Sequence, residues 1–208
     1  MTSLYMALAI ICAYIIGSFP TAYLVGHLRR GIDIREVGTR NMGAMNVFYS
    51  VGIAYGLLVL LVDIGKGVAA VFLARWLGTP FEIQLAAGGA AVIGHGFPVF
   101  LRFRGGKGGA VSIGVLGYLM WPWVVIFGAA IFAVVLLITR FPTFSYSLAL
   151  GCSPFVAWLT YHSGALVLFS SLLLVLLLVR YIPRLKEMRD KAGNWRHVFQ
   201  RKGLQDRF

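Results

Sequence analysis

The sequence predicts an all-α integral membrane protein of about seven transmembrane helices, the fourth short, with the N-terminus outside and the C-terminus cytoplasmic. Three observations carry that prediction. Hydrophobic residues fill 59% of the 208 positions and charged residues only 12%, with a mean hydropathy of +0.82, far more apolar than a soluble domain of this length. Most of the apolar residues fall in runs close to the ~20 that span ~30 Å of hydrocarbon as a helix. Lys and Arg gather beside particular run ends, which marks those ends as cytoplasmic.

Residues 4–26 form the first run, and lacking a basic leader or cleavage site it is expected to remain as a helix. His27, Arg29, Arg30, Arg35 and Arg40 follow it, which places this loop in the cytoplasm. The second run, 51–77, carries Asp63 and Lys66 at a spacing that shares one helix face. Each buried charge costs several kcal/mol unless paired or hydrated, so the two either serve a ligand or link helices. A turn at Gly78-Thr79-Pro80 leads to the third run, 83–100, which brings the chain back to the cytoplasmic side.

Residues 108–139 are too long for one comfortable span, and Trp121-Pro122-Trp123 interrupts them. A short helix over 108–119 followed by a full one over 121–139, then crossings at 144–161 and 164–182, returns both Arg140 and the tail to the cytoplasm. The organisation expected is a membrane domain over 1–183 and a basic cytoplasmic tail over 184–208, containing Arg184, Lys186, Arg189, Lys191, Arg196, Arg201, Lys202 and Arg207.

The net charge of +12 does not imply nucleic acid, because most cations flank apolar runs. Cys12 and Cys152 lie inside apolar runs and read as packing residues, and acids are too scarce for a carboxylate metal cluster. Gly108 follows Lys107 where a P-loop would have Ser or Thr, and neither His-Glu-x-x-His nor Gly-x-Ser-x-Gly occurs. No metal and no cofactor are expected.

Two loops remain as candidates for chemistry, and topology puts both on the cytoplasmic face. The segment from His95 to Gly109 joins Arg102, Arg104 and Lys107 to Gly105, Gly106, Gly108 and Gly109. Glycines leave amides unshielded and the cations supply charge, a combination suited to an anion, the more so if a helix begins near Gly108. The loop Gly38-Thr39-Arg40-Asn41-Met42-Gly43-Ala44-Met45-Asn46 offers a hydroxyl, two side-chain amides and a guanidinium, groups that suit phosphate and hydroxyl oxygens or that cap helices.

These two segments resemble the bacterial acyl-phosphate-dependent glycerol-3-phosphate acyltransferase family. The family's first motif, Gly-Ser-Gly-Asn-x-Gly-Ala-Thr-Asn, is matched at Gly38, Asn41, Gly43, Ala44 and Asn46. Its second, Gly-His-x-x-Pro-Val-Phe followed by Phe-Lys-Gly-Gly-Lys-Gly, is matched over 94–100 and 103–108 with Arg104 for Lys, and Val62-Asp63-Ile64-Gly65-Lys66-Gly67 is similar to the Leu-Asp-x-x-Lys-Gly between them. The resemblance implies transfer of an acyl group from acyl phosphate to glycerol 3-phosphate, giving lysophosphatidic acid for phospholipid synthesis at the bacterial cytoplasmic membrane. On that reading Lys107, Arg104 and the amides of 105–109 hold phosphate, and Thr39, Asn41 and Asn46 hold the acceptor. Arg40, Gly43, Lys66, Arg102, Gly105, Gly106 and Gly108 complete the binding set, and His95 is the candidate for moving a proton. The partners expected are the two substrates and membrane lipids, with the protein a monomer and nucleic acid playing no part.

Several positions depart from the family pattern. Thr39 stands for serine, Arg40 for glycine, Met45 for threonine and Tyr49 for arginine, while the third motif is reduced to Leu178-Val179-Arg180-Tyr181 without its His and Asn. Two other readings follow from these departures and from the basic loop: a diverged paralogue with another phosphorylated ligand, and a small anion transporter.

Overall fold

The computed structural model describes residues 3–199, and every regular element in that range is a helix. Arg201, Lys202 and Arg207 of the basic tail lie outside the described residues. The chain divides into two compact units, Met1–Leu119 and Met120–Phe208. Among the described residues, four stretches are long and apolar enough to cross a membrane: Ser3–Arg30, Ile53–Trp76, Phe81–Leu101 and Gly164–Ala192. Gly109–Leu119 and Trp123–Thr139 are shorter apolar helices.

The first unit contains α1 (Ser3–Ser18), α2 (Thr21–Arg30), α3 (Ala44–Ser50), α4 (Ile53–Trp76), α5 (Phe81–Gly96), a 3-10 turn at Val99–Leu101, and α6 (Gly109–Leu119). The expected single helix over 4–26 is divided between α1 and α2, because Pro20 has no N–H with which to continue the ladder. In hydrocarbon nothing but packing and polar contact draws helices together, and small residues let backbones approach. Here α1 lies on α5, with Ala9, Ala13 and Gly17 buried on one and Ala87, Ala91 and Gly94 on the other. A methyl at Gly17 would strike the Ala91 backbone, and one at Gly94 the Tyr14 carbonyl. The pairing of α4 with α6 works the same way, Gly67 against the Val111 carbonyl and Gly114 against that of Ile64.

The loop between α2 and α3 is not a surface strand of polar residues. Ile34, Met42, Val47 and Val51 are buried there with Ala22 and Val59, and Tyr23, Tyr55 and Leu101 pack against them. Gly31, in the left-handed region at φ 63°, closes α2 by donating to the His27 carbonyl at 2.9 Å, while Ile32 N–H donates to that of Gly26 at 3.4 Å.

The second unit runs α7 (Trp123–Thr139), α8 (Pro142–Gly151), α9 (Ser153–Leu159), α10 (Gly164–Ala192) and α11 (Trp195–Phe199). The break before Trp123 falls where Trp121-Pro122-Trp123 predicts it. The expected helix over 144–161 is instead two, α8 and α9. Pro154 cannot donate to the Leu150 carbonyl, and the Ser153 hydroxyl does so at 2.7 Å. Pro183, by contrast, does not end α10, which continues to Ala192. Its last turns are laced by Glu187, which accepts from Arg184 at 2.6 Å and Lys191 at 2.8 Å. Phe141, Met188 and Val198 form a small core that holds α11 to the start of α8.

Close backbone contact makes a paired prediction. Gly114→Ala should lower stability by about 1–3 kcal/mol, since its methyl would meet the Ile64 backbone, which cannot move aside. Gly65→Ala, one residue away on α4 and with nothing within 4 Å, should raise stability by about 0.5–1 kcal/mol through helix propensity alone. Thermal unfolding of both variants in detergent checks the opposite signs.

Candidate active site

The site is built where three chain segments meet in the first unit: the α2–α3 loop, the end of α5 and the start of α6. Asn46, on α3 and 1% exposed, organises the first of these. Its Nδ2 donates to the carbonyls of Ile34 at 2.7 Å, Val37 at 3.0 Å and Asn41 at 3.1 Å. Its Oδ1 accepts from the Thr39 N–H at 3.0 Å and the Ser50 hydroxyl at 3.4 Å. That amide is fully engaged with its own loop, so the expectation that Asn46 binds the acceptor is corrected to a scaffold role. Gly38, at φ 58°, lies so close to Asn46 Oδ1 that any side chain there would displace it. Asn41 is half-buried with its amide over Gly43, Thr39 is half-buried, and Arg40 is exposed at φ 55°.

The glycines of the second loop serve a different purpose from the one the sequence suggests. Gly105 N–H donates to the Gly96 carbonyl at 3.2 Å and Gly106 N–H to the His95 carbonyl at 3.0 Å. Those two amides are therefore turned to the end of α5 and are not a phosphate nest. Neither position has room for a methyl: at Gly105 it would meet the His95 carbonyl and Pro98, at Gly106 the His95 imidazole and the Met42 carbonyl. The second of these contacts presses the two loops together. Gly108, at φ 95°, turns the chain into α6, and its carbonyl accepts from Ser112 N–H at 2.9 Å. Half-buried Lys107 stands two residues before the start of α6, whose first N–H groups have no partner within the helix, an arrangement that favours an anion.

A hydrogen bond also crosses between the two loops, and the sequence carries no signal of it. Arg35 pairs with Asp33 at 2.7 Å and donates through Nη1 to the Leu101 carbonyl at 3.3 Å, with its guanidinium 5.1 Å from the Tyr23 ring centre. Arg104 and Glu36 approach to 3.6 Å, both well exposed. Arg35, Phe100, Leu101, Arg102 and Arg104 line a hollow of about 220 Å³, large enough for a phosphate group. Arg102 and Phe103 hold left-handed backbone at φ 53° and 61°, which swings both side chains outward. Such conformations cost non-glycine residues on the order of 1 kcal/mol or more each and collect at functional loops.

Lys66 is not with the loop cations. It is buried in the helices, donating to Asp63 at 2.6 Å and to the Phe19 carbonyl at 2.6 Å. His95, 4% exposed, lies between this pair and the glycine loop, with Nδ1 3.8 Å from Asp63 Oδ1. The structure thus brings together Thr39, Arg40, Asn41 and Gly43 on one loop, with Asn46 at the start of α3 behind it, and Arg102, Arg104, Gly105, Gly106, Lys107 and Gly108 on the other. Lys66 and His95 lie beneath them.

The Arg35 hydrogen bonds hold the Asp33 carboxyl below its ordinary value of 3.8. A depressed carboxylate pKa stabilises the fold above that ordinary value, and the contribution is lost as pH falls through the lower folded value. Asp33→Asn should therefore lower stability by about 1 kcal/mol at neutral pH. The gap from the parent protein should close below pH 3.8, as thermal melts taken across pH would show.

Residues 7–191 match the family model described as glycerol-3-phosphate acyltransferase. A protein named glycerol-3-phosphate acyltransferase 2 from Dehalococcoides mccartyi is 50% identical over the whole of both chains. The glycerol-3-phosphate acyltransferase of Bacillus subtilis is 37% identical over 90% of this chain and 95% of its own. Among solved structures, the integral membrane glycerol 3-phosphate acyltransferase PlsY in its glycerol 3-phosphate form superimposes with a TM-score of 0.83 at 26% identity, covering 98% of this chain and 95% of that one. A lysophosphatidic acid form of PlsY gives 0.81 at 26% identity, covering 96% of each chain. With its glycine-rich loops and membrane helices, the chain belongs to the glycerol-3-phosphate acyltransferase family.

Proposed function

We infer that this glycerol-3-phosphate acyltransferase takes its acyl group from acyl phosphate and releases lysophosphatidic acid and inorganic phosphate. The observation that carries the reading is the juxtaposition of Lys107 and the open start of α6 with the Thr39–Gly43 loop, joined by the contact of Gly106 with Met42. PlsY, known in a glycerol 3-phosphate form and a lysophosphatidic acid form, supports the acceptor and the product. An acyl phosphate is already an activated anhydride, so the protein's task is to align two phosphorylated molecules and stabilise negative charge. The acceptor hydroxyl oxygen bonds to the acyl carbon, the bond from that carbon to the phosphate oxygen breaks, and the hydroxyl proton leaves with the phosphate. Lys107, the α6 amides, Arg102 and Arg104 hold phosphate oxygens, and Thr39, Arg40 and Asn41 hold the acceptor. Gly43, Asn46, Gly105, Gly106 and Gly108 shape the loops that carry them, and His95 supports the second loop from below.

The protein works at the bacterial cytoplasmic membrane with both loops on the cytoplasmic face. About seven crossings, N-terminus outside, satisfy the charge bias. Nothing in the site favours a transporter, and the full-length relative at 50% identity carries the acyltransferase name.

Purified protein should acylate glycerol 3-phosphate with acyl phosphate. Lys107→Ala should lower the rate about ten- to hundredfold, the loss of one charge-assisted contact worth roughly 1.5–3 kcal/mol, with little change in melting temperature. A wild-type rate in that variant would remove Lys107 from the phosphate site.

Arg40→Gly separates strain from function. Glycine relaxes the backbone at φ 55°, so stability should rise by roughly 0.5–1 kcal/mol. Loss of the guanidinium should nevertheless raise KM for glycerol 3-phosphate several-fold, with steady-state kinetics and melting curves reading the two effects separately.

A further inference from the structure

We propose that Asp63 and Lys66 are a positioning pair that clamps the α1–α2 break to α4 and seats His95 under the second glycine loop, thereby setting where Lys107 stands. Both charges are nearly inaccessible, with side-chain exposures of 2% and 6%. Lys66 Nζ spans from Asp63 Oδ1 to the Phe19 carbonyl, each at 2.6 Å, so one ammonium joins α4 to the residue before Pro20. The Phe19 carbonyl lies at the break between α1 and α2, where it accepts from Thr21 N–H at 3.0 Å as well as from Lys66. The ring centre of Phe19 lies 5.6 Å from the same ammonium. Asp63 Oδ1 lies 3.8 Å from His95 Nδ1 on α5.

The connection continues through His95 to the loop. Its backbone carbonyl accepts from Gly106 N–H, and its imidazole fills the space where a Gly106 side chain would be. The next residue is Lys107, and the Met42 carbonyl of the first loop closes the same space beside Gly106. A shift of the pair is therefore passed to both loops through packed atoms. Lys66 contacts protein on each of the sides given, which sets it apart from the exposed cations Arg102 and Arg104 and from any ligand-binding role.

Removing one partner strands a charge in a low-dielectric interior, whereas removing both is often tolerated. The informative variant is therefore Asp63→Asn combined with Lys66→Met, in full-length detergent-purified protein. Hydrogen exchange over residues 103–108 should quicken roughly tenfold or more as the loop loosens, with α7 and the melting temperature close to wild type. With acyl phosphate and glycerol 3-phosphate, kcat should fall about tenfold or more while KM stays within about twofold, because misplacement of a binding loop acts on the transition state. Unchanged exchange overturns the proposal, as does a wild-type kcat. A raised KM at constant kcat would make Lys66 a ligand contact, and failure to fold would make the pair a folding determinant, each overturning it too. The kinetic arm rests on the acyl-phosphate reading and the exchange arm does not. Wild-type protein inert with acyl phosphate would count against that reading while exchange still decides the pair.

Discussion

Two hydrogen bonds, from Gly105 and Gly106 to the Gly96 and His95 carbonyls, fold the chain back on the end of α5 and determine where the basic residues around them can be. A helix ends with unsatisfied carbonyls, and here they are met by the basic glycine-rich loop. Because the pairing needs backbone against backbone, positions 105 and 106 exclude any side chain. Lys107 and Gly108 follow with no slack, and α6 begins immediately at Gly109. The cation and the helix start are thus fixed by one short-range constraint, the preorganisation that charge stabilisation requires.

The same economy appears in how the helices are held. In a lipid environment apolar side chains gain little from contact with one another, so α1, α4, α5 and α6 approach through Gly and Ala, close enough for backbone contact. Such approach leaves little room for adjustment. It also explains why a buried ion pair can be retained beneath the site: Asp63 and Lys66 satisfy each other, and Lys66 donates to the Phe19 carbonyl at the α1–α2 break, so polar contact adds to packing. The first loop is stabilised differently, by an apolar cluster around Ile34, Met42 and Val47 and by the five bonds of Asn46.

Much of this was written in the sequence, at the level each signal permits. Apolar runs located the long membrane helices, and Trp121-Pro122-Trp123 marked the division between α6 and α7. Pro20 and Pro154 carried comparable signals for the divisions at α1–α2 and α8–α9, but an unbroken apolar run masks a proline when length alone is weighed. Pro183 shows the reverse, a proline carried inside α10. Within the site, the glycine-rich and basic character of both loops was legible, whereas the direction of each amide was not. An N–H that binds phosphate and one that binds a carbonyl look identical in sequence, and so do an asparagine that binds substrate and one that braces a turn. The bond from Arg35 to the Leu101 carbonyl joins residues 66 apart and has no local signature.

The altered residues of the first loop are explained by what the fold leaves open. Asn46 and Gly38 are locked by contacts that a substitution would break, and they match the family pattern. Arg40, which departs from it, is exposed and touches none of that scaffold through its side chain. The loop can therefore change its outward chemistry while the amide of Asn46 keeps its shape. The backbone there stays left-handed under arginine at φ 55°, a conformation imposed by the surrounding bonds, among them Arg40 N–H to the Val37 carbonyl at 3.0 Å. A scaffold rigid enough to hold a non-glycine residue in that region can present a guanidinium where a relative with glycine would present only backbone.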